Sequence, residues 1–303
     1  MQQQHSYQDL LEASQRANWR IDDIIGGDKR LDFAKPFLPE TFARTEALAF
    51  LSAEEKLKLN HVRSRGYLAM FELVEQFIVP FVSEQAAEGP EDDPHRAKAL
   101  RQFVREENKH RELFRRFLAE FDEGFGVPCG LIGPAEEIAK AILAHDALAV
   151  AIAVLGIEWM SQAHYVESIE GDQTLDGQFK SLLKHHWQEE AQHAELDALM
   201  LTGMARSVAA ADIEEAIDQY FDIGGFIDGG LKSQAELDLQ AFERAAGRPL
   251  SAAERDAFVR EQHQALRWTF LGSAMRNANF LAALDGLGGQ ARARVEQAAP
   301  VFC

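Results

Sequence analysis

Two Glu-x-x-His motifs restrict the fold of this chain more than any other feature. The first is Glu107–His110 and the second is Glu190–His193. Residues three apart lie on the same face of an α-helix, so each motif turns a carboxylate and an imidazole to one side. Helical periodicity makes that side otherwise apolar in both cases. Such groups are costly on a buried stripe unless something pairs with them, and a metal ion does this well.

The first motif lies on a stripe of phenylalanines. Phe103, Phe114, Phe117 and Phe121 fall in the same helical phase as the motif, so both of its side chains are predicted to point inward. The neighbouring Glu106 lies about 100° away around the helix and is predicted to be solvated.

The second motif carries additional polar residues on the same face. His186 lies four residues before Glu190 and is a third candidate imidazole ligand, although a core histidine bonded to Glu158 or to backbone would give the same pattern. Asp197 follows His193 by one turn, and it either orients that imidazole or is a polar residue at the rim.

Two further helical patterns each supply one inward acid. Glu158 is the only acid in the apolar run 147–163. In the earlier pattern Phe71 marks the centre of the apolar face, and Glu75 falls within that face, whereas Glu72 lies about 100° away. Glu75 is therefore predicted as the ligand, and Glu72 is the alternative.

The order of the helical patterns defines the predicted fold. Capping boxes begin two of them, at Ser52–Glu55 and Ser251–Glu254, and strand-period alternation is absent. A short helix is predicted before Gly26, and residues 88–94 read as a loop. Longer helices are predicted at about 52–83, 93–124, 134–171, 174–206, 212–245 and 251–285. We predict an all-α fold with one domain, 1–303: an N-terminal segment (1–51), a four-helix bundle (52–206) and a C-terminal extension with two additional helices (207–303).

The ordered set of one Glu, one Glu-x-x-His, one Glu and one Glu-x-x-His resembles the ferritin-like di-iron carboxylate superfamily. The added His186, which gives His-x-x-x-Glu-x-x-His, resembles the arylamine N-oxygenase family that oxidises p-aminobenzoate. The resemblance implies two iron ions (Fe2+/Fe3+), with manganese as an alternative, together with O2, a small organic substrate and an electron donor. It also implies that metal binding and catalysis use the same seven side chains: Glu75, Glu107, His110, Glu158, His186, Glu190 and His193.

Other functions fit the same pattern. Within the oxygenases, C–H hydroxylation is the alternative to N-oxygenation of an amine. A ferritin-like ferroxidase or iron-handling protein is the alternative of another class, although residues after Arg206 exceed what storage needs and suit a lid or a homodimer surface. A radical-generating subunit would require Tyr165 to be redox-active rather than simply packed. His164 is predicted at the surface or in a second layer, and His263 and Trp268 are predicted to be structural.

Composition excludes several partners. The chain has 31 basic and 49 acidic residues and a net charge of −18, so neither nucleic acid nor an anionic membrane would meet a basic surface. Two cysteines are too few for a disulfide framework. We expect no secretion signal and no apolar run of roughly 18 residues, and therefore a cytoplasmic protein without a membrane span.

Overall fold

A computed structural model of the chain describes residues 5–88, 93–206 and 208–303. Its α-helices are α1 Tyr7–Ala17, α2 Ile21–Ile24, α3 Glu40–Ala43, α4 Ala53–Glu88, α5 Arg96–Phe125, α6 Ala135–Leu143, α7 Ala147–Ala163, α8 Gly177–Ala205, α9 Ala210–Ala246, α10 Ala252–Arg267, α11 Ser273–Met275, α12 Ala278–Leu287 and α13 Ala291–Ala298. π-Helical segments continue α7 (His164–Ile169) and α10 (Trp268–Gly272), and a 3-10 turn follows α13 (Ala299–Val301). The all-α prediction is confirmed. The central residues of the predicted 88–94 loop lie outside the described residues, as does position 207, where the C-terminal extension was predicted to start.

Helices α4, α5, α7 and α8 form the four-helix bundle. Helix α4 packs along α5 and α7 packs along α8, while α5 also contacts α8. The predicted capping box holds the start of α4, because Ser52 N–H donates to Glu55 Oε2 at 2.8 Å and Glu55 N–H donates to Ser52 Oγ at 3.2 Å. The four-helix bundle is thus built from the helices that carry the predicted ligands.

Two boundaries within the bundle differ from the prediction. The predicted helix 134–171 is interrupted between α6 and α7, where the Asp146 carboxylate accepts a hydrogen bond from Leu148 N–H at 2.8 Å and starts a new helix. Helix α8 begins later than the predicted position 174, because Asp176 caps it and its carboxylate accepts from Phe179 N–H at 2.7 Å. Both errors come from local capping residues that apolar periodicity does not register.

The remaining helices cover two sides of the bundle. Helix α1 packs on α5 and α8, and α9 packs on α4 and α7 with α10 outside it. The predicted last helix breaks at Asn277, whose side chain accepts from Phe280 N–H at 3.1 Å and starts α12. The predicted C-terminal extension is present, with short helices after the two long ones.

Helix α4 and the continuous α7–π helix are long and apolar enough to cross a membrane by length and composition, contrary to expectation. Their most apolar windows are 67% and 72% buried inside the protein. Their apolar character is therefore explained by packing in the bundle core.

Candidate metal centre

The bundle brings the predicted ligands together at its centre. All seven are at most 5% exposed: Glu75, Glu107, His110, Glu158, His186, Glu190 and His193. Each of the four bundle helices contributes, since Glu75 lies on α4 and Glu158 on α7 while α5 and α8 carry the two motifs. Charged groups buried this completely need compensation close by.

The two Glu-x-x-His motifs face each other across α5 and α8. One donor atom from each of their four residues lies within 4.8 Å of the others. His193 Nδ1 is 2.7 Å from Glu107 Oε1, and His110 Nδ1 is 3.0 Å from Glu190 Oε1. Each imidazole therefore approaches the carboxylate of the opposite motif, as expected if both motifs share one metal centre.

A second group overlaps the first. Donor atoms of Glu75, His110 and His186 lie within 4.8 Å of one another, and His186 Nε2 is 2.8 Å from Glu190 Oε1. Glu158 lies near this group, because burial, together with the neighbouring Glu190 carboxylate, raises the pKa of Glu158. The structure therefore offers two adjoining positions for metal ions, with His110 in both donor groups.

Two acids outside the predicted set form hydrogen bonds with the imidazole nitrogens that face away from the centre. His110 Nε2 donates to Glu189 Oε2 at 3.0 Å, and His193 Nε2 donates to Glu106 Oε2 at 3.0 Å. Since a carboxylate can only accept, each Nε2 is the donor in these bonds, and Nδ1 is the ring nitrogen that faces the centre and would supply its lone pair to a metal ion. These bonds fix the imidazole orientation that metal binding requires.

The prediction that Glu106 is solvated is wrong. It is 2% exposed and accepts hydrogen bonds from Ser14 of α1 and from Gln102. Burial opposes its ionisation, but the hydrogen bonds from His193 and Ser14 outweigh this and lower its pKa to about 2. Helix α1 supplies a partner that a reading of α5 alone does not reveal.

Glu189 was missed, although the sequence contains a signal for it. Each motif is preceded directly by a second glutamate, at positions 106 and 189. The two act reciprocally, because Glu106 of α5 holds the α8 imidazole and Glu189 of α8 holds the α5 imidazole. Glu189 also forms an ion pair with Lys109, whose Nζ lies 4.0 Å from the Trp19 ring centroid.

The structure also locates three residues outside the predicted ligand set: Glu72, His164 and Tyr165. Glu72 lies away from the centre, where Arg115 donates to it at 2.8 Å. His164 is buried rather than at the surface, with its ring nitrogens 3.0 Å from Tyr67 Oη and from Ser273 Oγ. Tyr165 stacks on Trp187 with ring centroids 4.8 Å apart.

Asp197 fits neither of its predicted roles. It is fully buried, so it is not a rim residue. Neither of its oxygens has a hydrogen-bond partner in the described part of the chain, so it does not orient His193 through a hydrogen bond. Burial raises the pKa of Asp197 well above its usual range, which favours the neutral acid in the metal-free protein.

His263 and Trp268 were predicted to be structural. The His263 ring lies 2.8 Å from the Asp228 carboxylate, and Trp268 packs against a cluster of buried apolar residues that includes Phe71 and Phe114. Neither belongs to either group of metal-ligating atoms.

Unpartnered donor atoms test whether the centre fits metal ions. His110 Nδ1, His193 Nδ1 and both Glu75 oxygens have no hydrogen bond of acceptable geometry to any described residue, although they are buried. The same holds for one oxygen each of Glu107 and Glu158. Buried polar atoms are rarely left without a partner. Unpartnered nitrogen and oxygen atoms that converge on one point are therefore expected where side chains surround metal ions.

Electrostatics point the same way. Burial and the neighbouring Glu107 charge raise the pKa of Glu75 well above its usual range, and burial and Glu190 do so for Glu158. Burial would lower the pKa of His193, but the Glu190 and Glu107 charges outweigh it and raise that pKa. Without cations the centre thus retains protons. Carboxylates and imidazoles together suit iron, with manganese as an alternative.

An apolar cavity of about 710 Å³ lies beside the centre, between α4, α6, α7 and α9. Val74 and Ile157 line it, and they are the chain neighbours of Glu75 and Glu158. Phe71 also lines it, and its ring centroid is 5.4 Å from that of His186. A single aromatic ring therefore touches both the cavity and a predicted ligand.

The similarity of this chain to known proteins is limited to solved structures of low sequence identity. No family model and no curated protein matches it. Among solved structures it is similar to two variants of an R2-like ligand-binding oxidase with reconstituted Mn/Fe cofactors, at 15% identity and a TM-score of 0.47, covering 88% of this chain and 94% of theirs. A third variant has 15% identity and a TM-score of 0.46, covering 89% of this chain and 94% of its own. Similarity at this level assigns no function to this chain.

Proposed function

We propose that this protein is a non-haem di-iron oxygenase that uses O2 to oxygenate a small organic substrate. The observation that supports this most directly is the convergence of seven buried ligand side chains, most of which have unpartnered donor atoms. When bound, a pair of iron ions supplies the redox chemistry for reducing O2, with electrons from an external donor.

The chain's own residues have separate tasks in this proposal. Glu107, Glu190, His193 and Glu158 would hold one ion, and Glu75, His110 and His186 the other. Glu106 and Glu189 hold the imidazole protons on Nε2, so that both Nδ1 atoms stay available. Phe103 stacks on His193 with ring centroids 3.9 Å apart and excludes water from that side.

N-oxygenation of an amine is our proposed reaction, because His186 occupies the third histidine position that the resemblance requires. C–H hydroxylation uses the same metal pair and is the alternative within this class. The adjoining apolar cavity favours an organic substrate over ferroxidase activity, because iron storage does not require an apolar cavity beside the metal centre.

Metal analysis and single-turnover reactions test the proposal. Protein loaded with Fe(II) should bind about two irons per chain. On exposure to 18O2 with a panel of amines and hydrocarbons, it should yield an organic product that carries the label. Oxidation of excess Fe(II) to a mineral without labelled product would favour the ferroxidase. Failure to bind iron would contradict both functions.

A further inference from the structure

We infer that the substrate is an uncharged, largely hydrocarbon molecule that binds in the cavity between α4, α6, α7 and α9. This inference rests on the proposed oxygenase function. Cavities of this size, about 710 Å³, lie within the range of roughly 300–1,000 Å³ typical of small-molecule sites.

The cavity wall carries no ionic group. Among the described residues that line it, none is Asp, Glu, Lys, Arg or His, and Ser233 supplies the only hydroxyl. A carboxylate or ammonium group bound here would lose its hydration without gaining a partner. The wall therefore selects against ionised substrates, including p-aminobenzoate.

The position of the cavity points to the reacting end of the substrate. Val74 and Ile157 form part of the wall, and each precedes a predicted ligand in the chain. Phe71 lies at the same end of the cavity, the inner end nearest the metal centre, and its ring contacts that of His186. A molecule filling the cavity would thus have one end against the residues that separate it from the metal centre.

Two helical glycines open the outer end. Gly225 and Gly229 lie four apart on α9 and both line the cavity. A Cβ at either position would meet nothing within 4 Å, so close packing does not explain them. Glycine weakens a helix relative to other residues. We therefore assign these two glycines the task of keeping the entrance wide.

An exposed aromatic ring marks the same entrance. Phe226 lines the cavity and is 45% exposed, although most large apolar side chains of the chain are buried. An apolar ring at the rim offers a first contact for a hydrocarbon molecule arriving from water.

Binding of N-phenyl-1-naphthylamine tests the inference without requiring turnover. This uncharged aromatic amine fluoresces more strongly in apolar surroundings, and the full-length protein should bind one equivalent saturably, with or without iron. Decan-1-ol should displace it, whereas decanoate and p-aminobenzoate should be at least about ten-fold weaker at neutral pH.

Gly225→Leu and Gly229→Leu should each weaken probe binding by about ten-fold or more, because the new side chain fills the entrance. Both should keep or raise the melting temperature, since leucine favours the helix over glycine. Gly203→Leu is the matched control, because Gly203 lies on exposed helix with open space around it and outside the cavity.

The inference is overturned if the probe does not bind, if decanoate competes as well as decanol, or if Gly203→Leu weakens binding as much as the cavity variants. Decanoate binding that requires iron would also overturn it, because the charge would then sit on the metals. A protein that binds the probe and decanol as expected but forms no 18O-labelled product would retain the binding site and lose the oxygenase function.

Discussion

The two sides of the metal centre are built differently. On the α5/α8 side, the imidazoles of His193 and His110 are anchored by hydrogen bonds to Glu106 and Glu189, and Ser14 of α1 donates a hydrogen bond to Glu106. On the α4/α7 side, both oxygens of Glu75 and one of Glu158 lack partners within the described chain. An apolar cavity, not a polar layer, lies behind that side.

The two sides would meet different requirements of a metal enzyme: one fixes the positions of the ions, and the other adapts during the reaction. Anchored imidazoles cannot rotate without breaking buried hydrogen bonds, so the α5/α8 side fixes where the ions would sit. Carboxylates without hydrogen bonds can change position at little cost, so the α4/α7 side can adapt when O2 or substrate arrives. We therefore expect changes on the first side to affect metal affinity, and changes on the second to affect reactivity more.

Glu107→Ala should have the largest effect. Glu107 lies beside His193 and within 3.7 Å of His110, so its loss removes a carboxylate from both imidazoles. Iron content should fall from about two per chain to well below one, as measured by metal analysis after loading and gel filtration. His193→Ala should behave similarly. Near-full occupancy in both variants would contradict the assignment of this centre.

Glu189→Gln should weaken metal binding by ~10–100-fold without abolishing it. Glutamine can still accept from His110 Nε2, but it no longer carries the charge that makes the imidazole a strong ligand. Competition with a chelator measures the affinity. Glu195→Gln on the same helix is the control and should bind as the unchanged protein does. Equal affinity of Glu189→Gln and the control would remove the distinction between the two sides.

His186→Ala should lose less iron than Glu107→Ala, retaining about one iron per chain. The spectrum of the Fe(II) protein on exposure to O2 should also change. The neighbouring His185 provides a control, because its Nδ1 lies 2.7 Å from the Ser181 carbonyl oxygen and is not directed at the centre. His185→Ala should retain both ions. Unchanged iron content and spectrum in His186→Ala would mean that only two imidazoles bind metal.

Helical phase on single segments was sufficient to predict that Glu75, Glu107 and Glu158 meet, because an isolated acid on an apolar stripe is costly unless a partner lies within the core. It failed for Glu106, since the Ser14 that bonds it comes from a helix distant in sequence. It also missed the break before Ala147, which depends on one capping carboxylate. The cavity was not predictable, because it arises where α9 packs on α4 and α7 and no local pattern reports that contact.

Glu72→Gln should have the smallest effect and tests the phase of α4 directly. Glu72 accepts from Arg115 at 2.8 Å and lies 3.7 Å from Arg111, outside the metal centre. Glutamine keeps an acceptor there, and Arg115 is half-exposed, so solvent screens its pairing with Glu72 and stability should change by no more than about 1 kcal/mol. Metal analysis should give unchanged iron in Glu72→Gln, whereas Glu75→Gln, the same change one turn later, should lose iron or alter its reaction with O2. The opposite result would place Glu72 among the ligands and rotate α4 about its axis by about 60°, which would also shift Phe71 and Val74 relative to the cavity.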